Sequence, residues 1–227
     1  MKMYRILLGL FSIISCQKNI DLHLQNNSSD NEKSKNEDST YLFKTIGVGS
    51  LKNYNFPKEW RVNTYDDENS QVKKEDLDAQ KRLEEIDYFN TIKGVKNEVL
   101  NVNYSSFIKK DSVLNLAKVD SLFVIDSRKT LNNKEIKIFK TVATLNNDQY
   151  DSPINIYKID LVLFNKNNVV NSINIYSEID FPYSTKQNIC YLDETGQLFC
   201  RKFSIGEEKV INSGSYKVDS KKLFNIK

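Results

Sequence analysis

The strongest constraint on the fold comes from the segment Cys190-Tyr-Leu-Asp-Glu-Thr-Gly-Gln-Leu-Phe-Cys200. Glycine takes a positive φ without steric cost, and a three-residue hairpin loop needs one residue of that kind. Gly196 therefore closes a loop in which Asp193 stands opposite Gln197. Counting outward, 193/197 is a hydrogen-bonded pair, 192/198 is not, 191/199 is, and 190/200 is not. Non-hydrogen-bonded pairs bring their Cα atoms to about 4.5 Å, inside the range a disulfide accepts. The spacing thus predicts an antiparallel hairpin closed by a Cys190–Cys200 disulfide. A metal or redox role for the pair would need a third ligand nearby or a Cys-x-x-Cys spacing, and neither is present.

The hairpin belongs to a longer pattern. Ile136 to Leu145, Ile154 to Phe164, Val169 to Phe181, Asn188 to Leu192, Gln197 to Ile205 and Tyr216 to Val218 are rich in β-branched and aromatic residues. Asn, Asp, Gly and Pro separate them, which is the signature of consecutive strands. Tyr157, Ile159, Leu161 and Leu163 share one face of a strand, and Ile173, Ile175, Ile179 and Phe181 one face of the next. The two faces coincide only across an odd loop, for instance Lys166-Asn167-Asn168 with Asn165 opposite Val169, because a one-residue slip turns every side chain over. Asn168 suits the left-handed conformation such a loop requires.

Helical signals precede the strands. Ser70 is placed to cap a helix with Glu75 and Asp76 in its first turn. Leu77, Ala79, Leu83, Ile86, Phe89 and Ile92 follow at near-helical spacing until Gly94. Val99 to Ile108 reads as extended, and Asp111 or Ser112 as the start of a second short helix to about Ser121. Tyr41 to Tyr65, with Gly47, Gly49 and Pro57 among its apolar residues, reads as an extended segment wrapped on the domain and anchored by Trp60. Gly47-Val-Gly-Ser-Leu-Lys52 lacks the Gly-x-x-x-x-Gly-Lys-Ser/Thr spacing of a phosphate loop. The expected class is α+β: an antiparallel meander of about five or six strands in the C-terminal half, backed by one or two helices.

The amino terminus sets the expected compartment. Lys2 and Arg5 precede an apolar run from Ile6 to Ile14, far short of the roughly 20 residues of a spanning helix, and this is the layout of a secretory signal. Ser12-Ile-Ile-Ser-Cys16 resembles the lipobox of bacterial lipoproteins, with Ile13 where leucine is commoner. The resemblance implies removal of residues 1–15 and acylation of Cys16, which would seat the protein in the cell envelope on a lipid bilayer. Gln17 is not the aspartate of inner-membrane retention, so the outer membrane is favoured. An oxidising envelope compartment would keep Cys190–Cys200 closed. Residues 16–40 are rich in Ser, Asn, Asp, Glu and Lys and nearly free of apolar residues after Leu24. They read as a disordered tether with a root-mean-square span of roughly 25–30 Å, leaving 41–227 as one domain. The formal charge of +3 loses Lys2 and Arg5 on cleavage, so it argues for no nucleic-acid partner.

The residues offer little for catalysis. His23, the only histidine, falls in the tether, which leaves no Ser-His-Asp, Cys-His or His-rich zinc set in the domain. Asp66-Asp67-Glu68-Asn69 lacks the alternation and glycine of an EF-hand loop, and no cofactor or metal is expected. Carboxylate chemistry has Asp66 to Glu68, Glu84-Glu85, Asp160, Asp180 and Asp193-Glu194 to draw on, none in a diagnostic setting. Aromatic residues are more suggestive. In the last hairpin Ile189, Tyr191, Phe199, Phe203 and Ile205 share one face, and Leu192, Leu198 and the cysteines the other. Tyr191, Phe199 and Phe203 are the candidate partner-binding residues. The expected function is a non-enzymatic, membrane-anchored envelope lipoprotein that binds a macromolecular partner: another envelope protein, a toxin or hydrolase to be inhibited, or cell-wall glycan. The alternatives are a lipid-anchored carboxylate-dependent hydrolase and a small-ligand carrier.

Overall fold

The computed structural model describes residues 45–62, 73–97, 102–129, 134–146 and 148–219. All of them fall in the second of the two units into which the chain divides, Ser39–Lys227. The lipobox-like segment with Cys16, the expected tether and Ser70 lie outside the described residues.

A nine-stranded antiparallel sheet forms the body. Its long strands run as a meander: β3 (Lys118–Lys129), β4 (Glu135–Leu145), β5 (Ile154–Asn165), β6 (Asn168–Phe181), β7 (Ser184–Leu192), β8 (Gln197–Gly206) and β9 (Lys209–Asp219). Two short strands from earlier in the chain flank it, β1 (Glu59–Arg61) beside β9 and β2 (Val95–Asn97) beside β3. Among the described residues two helices complete the fold, α1 (Lys74–Ile86) and α2 (Val102–Lys110), with a 3-10 turn at Gly49–Lys52. The class is α+β with strands dominant, and the sheet extends beyond the five or six strands read from the sequence.

Each helix covers a different face. Along β5, Ile159, Leu161 and Leu163 belong to one apolar cluster with Ala79, Leu83 and Ile86 of α1. The intervening Ile156, Val162 and Phe164 belong to a second cluster with Tyr104 and Phe107 of α2 and Leu114. Alternation sends neighbours to opposite faces, so β5 is buried on both sides, and its sequence reads as a nearly continuous apolar run for that reason. Phe107 stacks on Phe139 of β4 at 5.2 Å, and Tyr104 meets the same ring edge-on at 5.0 Å.

That packing overrides local preference at two places. Of the run Val99 to Ile108, expected to be extended, residues 99–101 lie outside the described residues, and 102–108 are helical because Tyr104 and Phe107, three apart, bury together against Phe139. The helix expected to start at Asp111 is a run of turns through Ala117, followed by β3. Asp111 nevertheless accepts from the amides of Val113 and Leu114 through Oδ1, as an N-cap would. Helix α1 ends at Ile86, before Gly94, and Phe89 leaves it to stack on Tyr176.

The β5–β6 hairpin shows how faces are set. Leu161 pairs with Ile173 and Leu163 with Asn171, the register expected of an odd loop. The phase is reached differently: a two-residue turn, Lys166-Asn167, is followed by a bulge, and Lys166 rather than Asn168 has the left-handed φ, 56°. A second bulge between Ile159/Tyr176 and Asp160/Asn174 shifts the pairing by one. Beyond it Ile179 and Phe181 pack with the α2-side cluster, not on the face of Ile173 as alternation alone implied.

Residues 45–62 lie across β7 and β8. Ile46 exchanges backbone hydrogen bonds with Leu192 in both directions. Gly47 has φ +90°, and a Cβ there would fall 2.5 Å from the Cys190 carbonyl, so the close approach needs glycine. Trp60 is buried as the expected anchor, and its Nε1 donates to Gln80 of α1 at 3.3 Å.

Candidate functional site

The last hairpin forms as the residues dictate. Cys190 pairs with Cys200, Tyr191 with Phe199 and Leu192 with Leu198, and the cysteines are joined by a disulfide with Cα atoms 4.1 Å apart. Asp193 organises the turn: its Oδ1 accepts from the amides of Thr195 and Gln197, both at 3.0 Å, and from the Thr195 hydroxyl. Burial works against ionisation of Asp193, but these donors and Lys52 outweigh it and hold the carboxyl below its usual range. Replacing both cysteines with alanine is expected to cost roughly 2–3 kcal/mol, the value for a loop this short. Urea unfolding of the oxidised protein against the double variant measures it.

Two of the three candidate aromatics reach solvent. Tyr191 and Phe199 are half-buried neighbours on adjacent strands. Lys52 Nζ sits 5.0 Å from the Tyr191 ring and 5.2 Å from Phe199, and Lys217 Nζ lies 5.0 Å from Phe199. Each such contact contributes about 0.5–1 kcal/mol at an exposed site. Together they hold two rings and two ammonium groups in a fixed arrangement. Phe203 does not join them. It is 2% exposed, edge-on to Phe56 at 5.1 Å and to Trp60 at 6.0 Å, beneath the 45–62 segment. Phe203 is therefore a core residue, because a segment more than 140 residues earlier in the chain covers it. On the reverse face Cys190, Leu192, Leu198 and Cys200 are buried as well.

Two polar clusters inside the fold were not legible as sites. On the α2 side Lys158 Nζ contacts Asp111 Oδ2 and lies 3.5 Å from Asp160 Oδ1. Asn174 Nδ2 donates to Asp160 Oδ1 at 2.9 Å, Asn188 Nδ2 to Asn174 Oδ1 at 3.1 Å, and the Tyr216 hydroxyl to Asn188 Oδ1 at 3.0 Å. The chain of polar groups so formed crosses from β5 to β9. Burial pushes Asp160 up to about 6 against the pull of Lys158 and Asn174. Burial also opposes ionisation of Asp111, yet Lys158 and the two capping amides win and keep it below its usual value.

On the α1 side Asp87 Oδ1 and Glu178 Oε2 both lie within hydrogen-bonding reach of the Tyr176 hydroxyl, at 3.2 and 2.8 Å. Gln187 Nε2 also donates to Glu178. Burial raises both carboxyls above their ordinary range, partly offset by these donors. Tyr176 occupies the space between the two acids, so they act as a shared acceptor for one phenol. Of the acids singled out in the sequence, Asp66 to Glu68 lie outside the described residues, Asp180 accepts from Thr185, and only Asp160 is fully buried.

Comparison with protein-family models, with curated proteins and with solved structures finds no match.

Proposed function

We propose that the protein is a non-enzymatic, membrane-anchored envelope lipoprotein whose folded domain binds a macromolecular partner. The address rests on Ser12 to Cys16 and the polar residues after it. The reading of the domain rests on one observation: Tyr191 and Phe199, the accessible pair of aromatics on the last hairpin, are flanked by Lys52 and Lys217 and held by a disulfide and a covering segment. Rigid aromatics beside cations lose little entropy on binding and are the residues that most often carry interface energy. The partner is an envelope protein, a toxin or hydrolase to be inhibited, or cell-wall glycan.

The test uses the chain at its membrane. Solubilised envelope retains the partner on the wild-type protein. Tyr191→Ala with Phe199→Ala is expected to weaken that retention by about 2 kcal/mol or more, on the order of thirtyfold in Kd. Unchanged retention by the double variant would remove the hairpin from the site. Mass spectrometry of the Cys16 peptide tests the anchor separately, and a free thiol on an uncleaved chain would overturn the envelope address.

A further inference from the structure

Lys158, Asp111 and Asp160 are arranged as more than a buried ion pair needs. One ammonium faces two carboxyls, and the three side chains are 8%, 11% and 3% exposed. Lys158 is in direct contact with Asp111, which has its other oxygen fixed by two amides, so the pair is held in one orientation. Asp160 adds a second carboxyl beside the same nitrogen. Its Oδ2 is buried and takes no hydrogen bond among the described residues, and the same holds for Thr141 Oγ1, directly across from Lys158 on β4. An acid oxygen left without a partner in a water-poor site is costly, and such an exception calls for an explanation.

Amine and carboxyl fixed in contact have the geometry for condensation. Fixed orientation supplies effective molarities that a bimolecular reaction lacks, and exclusion of water favours the amide over its hydrolysis. What remains is a group to move protons, which a positioned neutral carboxyl does well. We propose that Lys158 and Asp111 become joined by an intramolecular isopeptide bond, with Asp160 as the proton shuttle that forms it.

The step balances without a further reactant. The Lys158 ammonium first passes a proton to the Asp111 carboxylate, giving a neutral amine and a neutral acid. Nζ attacks Cγ of Asp111, forming the C–N bond. The Asp160 carboxyl donates its proton to the departing hydroxyl and recovers one from the nitrogen. The Cγ–O bond breaks, one water leaves, and Asp160 ends as it began. Burial keeps Asp160 protonated nearer to neutrality than an ordinary carboxyl, which suits the donor role. The product exchanges two buried charges for one neutral amide, which removes their desolvation cost. It also ties the turn after α2 to β5 across 47 residues of chain.

Peptide mapping of the full chain decides the matter. Trypsin is expected to leave Lys158 uncut and to release a branched peptide containing Lys158 and Asp111, one water lighter than its two parts. In intact mass, Asp160→Asn is expected to be heavier than wild type by one water beyond the change made by the substitution. Cleavage after Lys158 with both linear peptides at full mass would overturn the proposal. So would a water loss confined to a single unbranched peptide, which marks a cyclised aspartate. A variant Asp160→Asn that still carries the branched peptide would overturn the role given to Asp160. The wild-type map needs no variant to fold.

Discussion

Replacing Phe203 with alanine is expected to lower the free energy of unfolding by about 3–5 kcal/mol, the range for truncating a buried phenylalanine. The ring is 2% exposed and lies against Phe56 and Trp60, which stack on each other at 5.8 Å. Little nearby can collapse into the space. Arg201 is committed to the Phe56 ring at 5.3 Å and to the Tyr54 carbonyl, and Trp60 is held by Gln80 and by the pairing of β1 with β9. The same substitution at Tyr191 or Phe199 is expected to cost about 1–2 kcal/mol, since each ring is half-buried and loses one or two contacts with a lysine. Urea unfolding of the three variants side by side checks the contrast. The ordering matters for function: a binding assay on Phe203→Ala would report loss of the covering segment, whereas one on Tyr191→Ala or Phe199→Ala would report the surface.

What the sequence made legible is what local chemistry decides. The last hairpin needs only a glycine at one loop position and a count outward, and every pair from 190/200 to 192/198 follows. The same reasoning reached the register of Leu161 with Ile173 but missed the bulge at Ile175, because a bulge leaves no mark in an apolar run. Helix α2 was hidden because Val102-Asn-Tyr-Ser-Ser-Phe-Ile108 has weak helical preference, and it forms only where Phe139 offers a surface for Tyr104 and Phe107. Alternation correctly put Phe203 on the face of Tyr191 and Phe199. It did not say that Phe56 and Trp60 cover one ring and spare the others. The Asp111–Lys158–Asp160 cluster was out of reach for a similar reason, since Asp111 had to be placed beside β5 by the packing of α2. Lys158 and Asp160, two apart on a strand, were the available hint: two charges on one face of a run that is otherwise apolar.

Asp160 also predicts how stability depends on pH. Its carboxyl is raised from 3.8 to about 6 in the folded protein. The fold therefore binds this proton more tightly than the unfolded chain does, and protonation favours the folded state. The contribution is fully present below about pH 4, falls as pH rises toward 6 and is absent above it. Two units correspond to about 3 kcal/mol at 1.36 kcal/mol per unit, an upper figure for a group coupled to Lys158 and Asp111. Asp111 is shifted the other way, and its contribution grows over the lower part of the same window. The wild-type curve alone thus mixes opposite slopes, and the difference between wild type and Asp160→Asn isolates one of them. The variant's stability relative to wild type is expected to rise by about 2–3 kcal/mol between pH 4 and pH 7 and then level off. Loss of the covalent linkage in the variant would free Asp111 to titrate, which adds slope only in the lower part of the window, so the change above about pH 5 is the part that reports Asp160. Urea unfolding at a series of pH values measures it. A difference that stays flat across the window would mean that Asp160 titrates as it does in the unfolded chain, and that its burial costs the ionised form nothing.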